Sequence, residues 1–546
     1  MFLAGHQTGR IYPVSLVIFF VSIVLLIGFA VRGGSLGGSV AGAIILAVGY
    51  RFTILYIPET TIGEATTRNA RWMESVIAEG TTSVIPSTFY REAPLHILQS
   101  SMTAMMLDIH SQQTFYIYAL LFGILLPIVA ITLIRLMGVT DKRALAVAAL
   151  LVIATTEGIR RSYWVIPQVQ AAVWYWLILL LLSKLVKTPL KRFYGLLLVL
   201  TVAIALTHKL PLLIVGLVIG FLLALYAVDS VTWKTAETTI PLRQAMSALL
   251  ILGTVTLAQW LYVGDHIDHV VARVLRIFAA EAPTGGSSGH DPIAAIPART
   301  GLLAEIYAYP TWLTLYIERA HIFWLLLIGG IAWCYLLFRT ADDDSRSGIY
   351  VLLASAAGSV ILIPISVATI DALNPTRLLV LGEPIIVVLA VGMVAKIYET
   401  SSIDVPWVKV FFVLLLATQV FAASAAPDYA NTPRYYLDTP EAHANTMLCQ
   451  YSQEPVYTDQ NFHRLEGIDR ESCGIYDRYS REPTDALYNA NVTTDEHPTI
   501  AYRHDLDLYQ GEGARWHLTW DPEQEFDSQY SSIYSNKQVT AYHHAG

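Results

Sequence analysis

The sequence predicts an α-helical polytopic membrane protein with a small C-terminal α/β soluble domain, and three observations lead to this class. Hydrophobic residues make up 54% of the 546 residues and charged residues only 14%. A water-soluble fold cannot bury so much apolar surface, so most of the chain must face lipid. Apolar segments of about 20 residues, each long enough to cross a bilayer, recur along the first part of the chain. Residues 427–546 contain no such segment.

Twelve apolar segments are predicted to be transmembrane helices. The first, Tyr12 to Val31, is longer than the apolar core of a signal peptide and ends without a small-x-small cleavage site, so we predict that it is retained. Charged loops or turn residues separate the segments. The predicted spans are 12–31, 37–57, 113–136, 143–159, 168–186, 193–207, 211–228, 245–263, 321–339, 349–370, 378–396 and 406–424.

The charges of the connectors predict the orientation. Short connectors rich in Lys and Arg favour the cytoplasmic side, and five of them fit this rule: 135–143, 184–192, 234–243, 339–346 and 396–409. Loops 58–112 and 264–320 and the C-terminal domain then share the outer face. Only a short turn separates 193–207 from 211–228, and merging these two spans would instead put the C-terminal domain and loop 58–112 on opposite faces.

Four regions follow from this arrangement. Two N-terminal transmembrane helices occupy 1–57, the first large outer loop occupies 58–112, and the remaining helices with outer loop 264–320 occupy 113–426. The fourth region, 427–546, is predicted to be an acidic extracytoplasmic α/β domain. The protein is therefore expected in the cell membrane as a multi-pass protein.

The C-terminal domain carries 20 Asp and Glu against 8 Lys and Arg. This acidity suits a surface solvated in high salt, as in a haloarchaeon, and makes nucleic acid an improbable partner. Residues 439–451 are predicted to be helical, and strands are predicted near 455–459, 499–502 and 532–542. Cys449 and Cys473 are a possible disulfide if the domain lies outside the cell.

Ionisable residues concentrate in the segments predicted to lie at the outer face. At a membrane boundary such residues are costly unless they are solvated, paired or used. Carboxylates and guanidiniums gathered at one face suit a phosphate leaving group beside an acceptor that must lose a proton. The alternative, that each side chain is merely solvated or reaches lipid head groups, stays open for Glu59, Glu64, Arg68, Arg91, Glu92, His96, Glu157, Arg160, Arg161, His208, Lys209 and Arg377.

The first outer loop has a recognisable order. Glu64 is followed by an amphipathic stretch, then by Gly80, and then by the segment Tyr90-Arg-Glu-Ala-Pro-Leu-His96. This order resembles the first outer loop of the GT-C superfamily of membrane glycosyltransferases, which use polyprenyl-phosphate sugars. The family's usual Asp is Glu here and its spacing to the glycine is one residue longer, so Glu59 is the other candidate for the loop-one acid.

Three further segments carry the resemblance. Glu157 stands in the second outer loop, where the family has another acidic position, and Thr207-His208-Lys209 resembles an outer-turn histidine common in archaeal members. The closing segment Ser532-Ile-Tyr-Ser-Asn-Lys-Gln-Val-Thr-Ala-Tyr542 resembles the ending of archaeal members with outer C-terminal domains. The closest type of function implied is that of the dolichyl-phosphate-mannose mannosyltransferases of surface N-glycosylation.

The resemblance implies a role for each candidate residue. Glu64, Glu59 and Glu157 are the expected catalytic acids, because sugar transfer needs a base for the acceptor hydroxyl. The expected donor-phosphate and substrate residues are Arg68, Arg91, Glu92, His96, Arg160, Arg161, His208, Lys209 and Arg377. The resemblance implies transfer of a sugar, with mannose as the expected one, from dolichyl phosphate to a glycan or glycoprotein acceptor such as an S-layer protein.

Other functions are not excluded by the sequence. A transporter or lipid-linked saccharide flippase is one alternative, although no internal repeat points to one. A non-enzymatic envelope protein whose C-terminal domain binds a partner is another. The cluster Asp265-His266-Ile-Asp268-His269 offers ligand types for a divalent metal, but it lacks a third ligand in fixed spacing, so neither a metal site nor a cofactor is predicted.

Overall fold

The computed structural model shows a bundle of long helices followed by a small domain of mixed sheet. It describes the following residues: 11–56, 64–155, 158–159, 166–232, 239–263, 303–306, 311–339, 346–363, 375–400, 439–451, 456–458, 479–480, 498–504, 509–511, 514–518, 522–536 and 538–544. The predicted class, a mostly helical membrane protein with a small C-terminal sheet domain, is confirmed in these residues.

The first part of the chain contains two long helices and a helical loop. The long helices are α1 (Ile11–Val31) and α2 (Leu36–Tyr56). The loop forms α3 (Glu64–Glu79), a 3₁₀ turn (Thr82–Val84), α4 (Thr88–Glu92) and α5 (Leu95–Leu107).

The rest of the bundle consists of nine described helices, which follow one another with short breaks. They are α6 (Ser111–Leu136), α7 (Lys142–Ile153), α8 (Pro167–Lys187), α9 (Lys191–Ala205), α10 (Lys209–Thr232), α11 (Thr239–Tyr262), α12 (Thr311–Arg339), α13 (Arg346–Val360) and α14 (Pro375–Thr400). Helices α8 and α14 lie in the middle of the bundle, since most of their side chains are buried inside the protein.

Six of the described helices, α2, α6, α8, α10, α11 and α14, are long and apolar enough to cross a membrane, so the chain is a multi-pass membrane protein. The predicted number of twelve spans is not confirmed. Helices α7, α9 and α13 have 12, 15 and 15 residues, which is shorter than a perpendicular span of about 20 residues. The apolar parts of α1 and α12 are also short, and predicted span 406–424 lies outside the described residues.

The fourth predicted span ends earlier than its apolar sequence. It was predicted to reach residue 159, but its helix ends at Ile153. The segments 193–207 and 211–228 form two separate helices that contact each other, so they are not one merged span. Cys334, which its apolar surroundings predict to be a core residue, is instead exposed on the surface of α12.

Close helix packing depends on a small residue where α13 meets α10. A Cβ atom added at Gly358 would lie 2.9 Å from the backbone nitrogen of Val218, which is closer than real Cβ contacts. These two helices therefore touch backbone to backbone, as small residues allow in membrane bundles.

The C-terminal domain is built around a five-stranded sheet in the order β3-β2-β4-β8-β7. Its elements are α15 (Thr439–Tyr451), β2 (Val456–Thr458), β3 (Tyr479–Ser480), β4 (Thr499–Arg503), α16 (Pro522–Gln529), β7 (Ser531–Ser535) and β8 (Val539–His543). Strands β2, β3 and β4 are parallel, whereas β8 is antiparallel to both β4 and β7. The predicted helix and the predicted strands 455–459, 499–502 and 532–542 are confirmed.

A second, three-stranded sheet joins the C-terminal domain to a loop between transmembrane helices. Strand β1 (Leu303–Ile306) pairs antiparallel with β6 (Ala514–Leu518), which also pairs with β5 (Tyr509–Gly511). Strand β1, the described part of loop 264–320 before α12, is therefore a neighbour of the C-terminal domain. The predicted outer face of both stays a prediction.

Candidate functional site

The spacing between Glu64 and Gly80 is the length of helix α3. Glu64 is the first residue of this helix, and Gly80 follows its last residue with a φ of +66°. The left-handed backbone at Gly80 ends the helix, and its N–H donates to the carbonyl of Val76 at 2.9 Å. The acid therefore stands where the helix N-terminus favours negative charge, and the glycine is its C-terminal cap.

One face of α3 is buried against the bundle, which fixes the loop to the membrane domain. Asn69, Met73 and Val76 are on this face, whereas Arg68 and Glu79 are exposed. The hydroxyl of Ser111, at the start of α6, donates to the carboxylate of Glu74. The predicted amphipathic stretch is thus an amphipathic helix lying along the other helices.

A row of three aromatic rings with a cation at each end runs across the loop. The guanidinium of Arg68 lies 5.2 Å from the ring of Trp72, and the rings of Trp72 and Tyr90 are 5.6 Å apart. The ring of Phe89 lies edge-on to Tyr90 at 5.3 Å, and the ammonium of Lys209 lies 5.8 Å from Phe89. We call these five residues the cation–aromatic row. Each end has the geometry of a cation–π interaction.

The row brings three distant parts of the chain to one place. Arg68 and Trp72 belong to α3, Tyr90 and Phe89 to α4, and Lys209 opens α10. The backbone supports this arrangement, because the N–H of Leu95 donates to the carbonyl of Leu206 at 3.0 Å. The first loop and the turn before α10 are therefore neighbours in the structure.

The turn before α10 is itself tied to the end of α11. The amide of Gln259 donates to the carbonyl of Ala205 at 2.5 Å. His208 is buried, and its Nδ1 accepts a hydrogen bond from the backbone N–H of Leu210 at 3.2 Å. His208 therefore caps the first turn of α10, and Lys209 is the exposed residue that the turn presents.

His96, in the first turn of α5, is almost fully buried. Its Nδ1 is 2.7 Å from the side-chain oxygen of Gln170, and the amide nitrogen of Gln170 donates to the side-chain oxygen of Gln99. The ring stacks on Phe115 at 5.4 Å. Burial lowers the pKa of His96 to about 4, so the ring is neutral at pH 7.

The hydrogen bonds define the tautomer of His96. Because the oxygen of Gln170 only accepts, Nδ1 carries the proton and Nε2 is a bare lone pair. Nε2 is buried without a partner among the described residues. A neutral, enclosed imidazole cannot neutralise a phosphate, so its position favours a role in holding α5 against α8.

Arg51 is a buried arginine that the sequence analysis did not select. It is 1% exposed in α2, where it donates to the carbonyls of Ala47 and Gly158, both at 3.0 Å. Its guanidinium lies 5.6 Å from the ring of Phe122. Its Nε has no hydrogen-bond partner among the described residues. The signal that was available is a single arginine inside an apolar span, which is costly and therefore usually functional.

Gly123 of α6 provides the space for Arg51. A Cβ atom added at Gly123 would lie 3.0 Å from Cδ of Arg51 and 3.1 Å from its Nε and Nη1. The arginine thus lies flat against the backbone of α6 and reaches the turn after α7. In the sequence, Glu157 directly precedes Gly158, and Arg160 and Arg161 follow it by two and three residues.

The structure describes only some of the predicted site residues. Arg91 is exposed in the last turn of α4, and Glu92 beside it is half-buried. Four predicted site residues, together with Cys473, lie outside the described residues: Glu59, Glu157, Arg160 and Arg161. Only the backbone is described for Glu64, Arg377 and Cys449. Within the described residues no group of three potential metal ligands occurs, and the cluster at 265–269 lies outside them.

Comparisons with known proteins add similarities of overall fold at low sequence identity. No protein-family profile matches the sequence, and no curated protein matches it. The Archaeoglobus fulgidus oligosaccharyltransferase in its apo form aligns with a TM-score of 0.49 and 12% identity, over 86% of this chain and 70% of that one. Its complex with zinc and sulfate aligns with a TM-score of 0.48 and 12% identity, over 92% and 73%. ArnT from Cupriavidus metallidurans in the apo state aligns with a TM-score of 0.39 and 12% identity, over 92% and 98%.

Proposed function

We propose that the protein is a membrane glycosyltransferase of the GT-C type, which transfers a sugar from a polyprenyl-phosphate donor at the outer face of the cell membrane. The observation that carries the proposal is the cation–aromatic row. Aromatic faces suit the C–H surfaces of a sugar ring, and Arg68 and Lys209 supply positive charge for a phosphate at either end. Dolichyl phosphate is the proposed carrier, mannose the proposed sugar, and a glycan or glycoprotein of surface N-glycosylation the proposed acceptor.

The chemistry requires one base for the acceptor hydroxyl and positive charge that stabilises the leaving phosphate. In the proposed reaction the acceptor oxygen gives its proton to a carboxylate and forms a bond to C1 of the sugar. The bond between C1 and the phosphate oxygen breaks, and the phosphate leaves with that electron pair. Glu64 is the proposed base, with Glu59 as the other candidate and Glu157 as a second acid.

Several cations are proposed to stabilise the leaving phosphate. Arg68 and Lys209 belong to the row, and Arg91 is exposed one residue from Tyr90. Charge that develops on the phosphate in the transition state is stabilised by cations already in position. Arg160, Arg161 and Arg377 are proposed to add to this charge, and Glu92 and His208 to order the surroundings.

The proposed base is tested by replacing single carboxylates. Glu64→Gln is expected to lower the transfer rate about 100-fold or more, because loss of a general base typically costs between 10²- and 10⁴-fold. Transfer from a radiolabelled dolichyl-phosphate sugar to membrane glycans measures this rate. Glu79→Gln is the matched control, since Glu79 ends the same helix and is exposed.

Two outcomes revise the proposal. If Glu59→Gln abolishes transfer while Glu64→Gln has no effect, Glu59 is the base. If neither change slows transfer, although both proteins fold and reach the membrane, this loop does not supply the base. An absence of transfer by the wild-type protein would contradict the proposed function.

A further inference from the structure

The proposed reaction assigns no role to Arg51, although this residue is a cation inside a membrane span. Arg51 belongs to the candidate span Leu36–Leu55 and is 1% exposed. A guanidinium at such a position is costly and is usually kept for a function. Its described contacts therefore indicate what this function is.

The guanidinium of Arg51 joins two parts of the chain that are 107 residues apart in sequence. Its Nη1 donates to the carbonyl of Ala47, one turn earlier in the same helix, and its Nη2 donates to the carbonyl of Gly158, both at 3.0 Å. The first bond fixes the direction of the planar group, and the second holds the Gly158 peptide. A lysine ammonium lacks the rigid fork of donors that makes both bonds at once.

The turn that accepts this bond consists of closely packed backbone. The N–H of Ile159 donates to the carbonyl of Thr155 at 2.9 Å, and the hydroxyl of Thr155 donates to the carbonyl of Val152 at 2.9 Å. A Cβ atom added at Gly158 would collide with Oγ1 of Thr155. The missing side chain at Gly158 therefore allows this close turn, and Arg51 attaches the turn to α2.

Helix α6 limits the freedom of the guanidinium from another side. A Cβ atom added at Gly123 would lie 3.0 Å from Cδ of Arg51 and 3.1 Å from its Nη1. The ring of Phe122 lies 5.6 Å from the guanidinium. The arginine thus occupies a narrow space between α2 and α6, and this space keeps it directed at Gly158.

We propose that Arg51 is a positioning residue, which acts on the reaction through Glu157 by holding the peptide of Gly158. Glu157 directly precedes Gly158 in the sequence. The inference rests on the proposed function, in which Glu157 is the second acid. Holding the Gly158 carbonyl restricts the backbone that carries the Glu157 side chain. Order that exists before the reaction begins lowers the barrier of the chemical step, so it raises kcat more than it lowers the KM.

A double-mutant cycle on kcat tests whether Arg51 acts through Glu157. Sugar transfer by the full-length protein is measured for Arg51→Lys, for Glu157→Gln and for both changes together, per folded molecule. Arg51→Lys alone is expected to lower kcat about tenfold and to change the KM for the lipid donor less than about twofold. In the Glu157→Gln protein the same change is expected to lower kcat less than about twofold, because the carboxylate that Arg51 positions is already absent.

The matched control is the same substitution at an exposed arginine. Arg135 is exposed in the last turn of α6, so Arg135→Lys is expected to leave kcat and KM unchanged. Gly123→Ala guards against misfolding of Arg51→Lys, because it displaces the guanidinium without removing it. It is expected to lower kcat in the same way, and again only while Glu157 is present.

Hydrogen exchange of the native protein measures the turn itself without any transfer. Arg51→Lys and Gly123→Ala are each expected to speed the exchange of the peptide that contains Thr155 to Ile159 by about tenfold. The exchange of α10 is expected to stay unchanged in both variants.

Three results overturn the inference. Unchanged exchange of the turn in both variants would mean that Arg51 does not hold it. An equal fall in kcat with and without Glu157→Gln would mean that Arg51 acts through another group. A rise in the KM without a fall in kcat would assign the turn to binding of the donor. An absence of transfer by the wild-type protein would instead contradict the proposed function, and the exchange measurement would still decide whether Arg51 holds the turn.

Discussion

Two arginines lie at opposite ends of the helix bundle, and their partners differ. Near the end that carries the turn after α10, Arg346 contacts both carboxylate oxygens of Asp229 at 3.2 Å, and the Asp229 side chain is 1% exposed. Near the end that carries the first loop, Arg51 is fully buried yet contacts only backbone carbonyls among the described residues. The charge of Arg346 is neutralised by Asp229, whereas Arg51 has no counter-ion among the described residues.

The difference separates a structural arginine from a positioning one. Arg346 is the first residue of α13, and its ion pair with Asp229 in the last turns of α10 holds the two helices together. Arg51 keeps its positive charge and attaches it to the turn that contains Gly158. Arg51 has no counter-ion among the described residues, and a buried arginine inside an apolar span is costly, so we expect the two arginines to fail in different ways when they are replaced.

The largest expected effect is a loss of stability at the ion pair. Arg346→Gln leaves the buried carboxylate of Asp229 without its partner, and breaking such a pair typically costs about 3–5 kcal/mol. Thermal unfolding in detergent measures this loss. Arg243→Gln is the control, because Arg243 is exposed on α11. If Arg346→Gln also lowers the rate of transfer per folded molecule, Arg346 is not purely structural and the distinction between the two arginines fails.

The next effect is a dependence of stability on pH that comes from His96. Its pKa is lowered to about 4 in the folded protein from an ordinary value near 6.5. Above pH 6.5 both states are neutral, and no pH dependence arises from this residue. As the pH falls from 6.5 to 4 the unfolded state takes up the proton first, so stability is lost, by about 3 kcal/mol in total.

The pH dependence is measured by unfolding the wild type and His96→Asn between pH 7 and pH 4. Asparagine keeps an N–H donor for Gln170 but does not titrate. We expect the variant to be less stable at pH 7 and to have a shallower slope below pH 6.5. Identical slopes of stability against pH in the two proteins would mean that another group titrates in this range and that His96 does not change its protonation on unfolding.

A smaller effect is expected when Arg51 is disturbed. Arg51→Lys keeps the charge but loses the planar guanidinium that reaches Ala47 and Gly158 together, so we expect a loss of about 1.5–3 kcal/mol in stability. Gly123→Ala should act in the same direction, because its methyl group would meet Cδ of Arg51 at 3.0 Å. Gly253→Ala is its control, since that added methyl group would contact nothing within 4 Å.

Kinetics distinguish positioning by Arg51 from simple packing. If Arg51 orders the turn of Gly158 for the proposed reaction, the turnover number of the folded Arg51→Lys protein falls about tenfold more than that of Arg346→Gln. Equal turnover numbers for the two folded variants would remove the distinction between the two arginines.

The smallest expected effect concerns the cations at the ends of the cation–aromatic row. Lys209→Gln and Arg68→Gln each remove one partly solvated charge, which is worth about 1 kcal/mol or a roughly fivefold rise in the KM for the lipid donor. Competition by inorganic phosphate at two salt concentrations checks that this rise is electrostatic. An unchanged KM in both variants would mean that the row does not contact the donor.

Much of the helical fold follows from the sequence, because long apolar segments have few alternatives in lipid. Helix α3 was predictable from the spacing of its apolar residues, and Gly80 marks its end. The boundaries of α7 and α9 were not, because carbonyls just after each helix accept hydrogen bonds from distant residues: Gly158 from Arg51 and Leu206 from Leu95. Local sequence contains no information about those partners.

The candidate site was predictable only in part. The loop segment from Tyr90 to His96 and the turn at Lys209 were selected, and the structure brings them together. Trp72 and Phe89 were not selected from the sequence, and Trp72 is at the same time a buried residue of the hydrophobic core. The direction of the hydrogen bonds from His96 through Gln170 depends on contacts between α5 and α8, which only the folded protein reveals.

The closing segment, residues 532–542, contains an asparagine with a clear structural role. Asn536 accepts hydrogen bonds from the backbone of Gln538 and Val539 and donates to the carbonyl of Pro440 at 2.5 Å. The segment from Ser532 to Tyr542 is thus a β-hairpin whose asparagine forms the turn and attaches it to α15. The turn therefore gives this asparagine a structural role.

The pairing of β1 with β6 has a consequence for biosynthesis. Strand β1 leaves the ribosome well before β6, and helices α12 to α14 are inserted between the two events. Strand β1 therefore gains its partner strand only after β6 has been synthesised. A nascent or truncated chain without β6 lacks this sheet, so the sheet is assembled after helices α12 to α14 have been made.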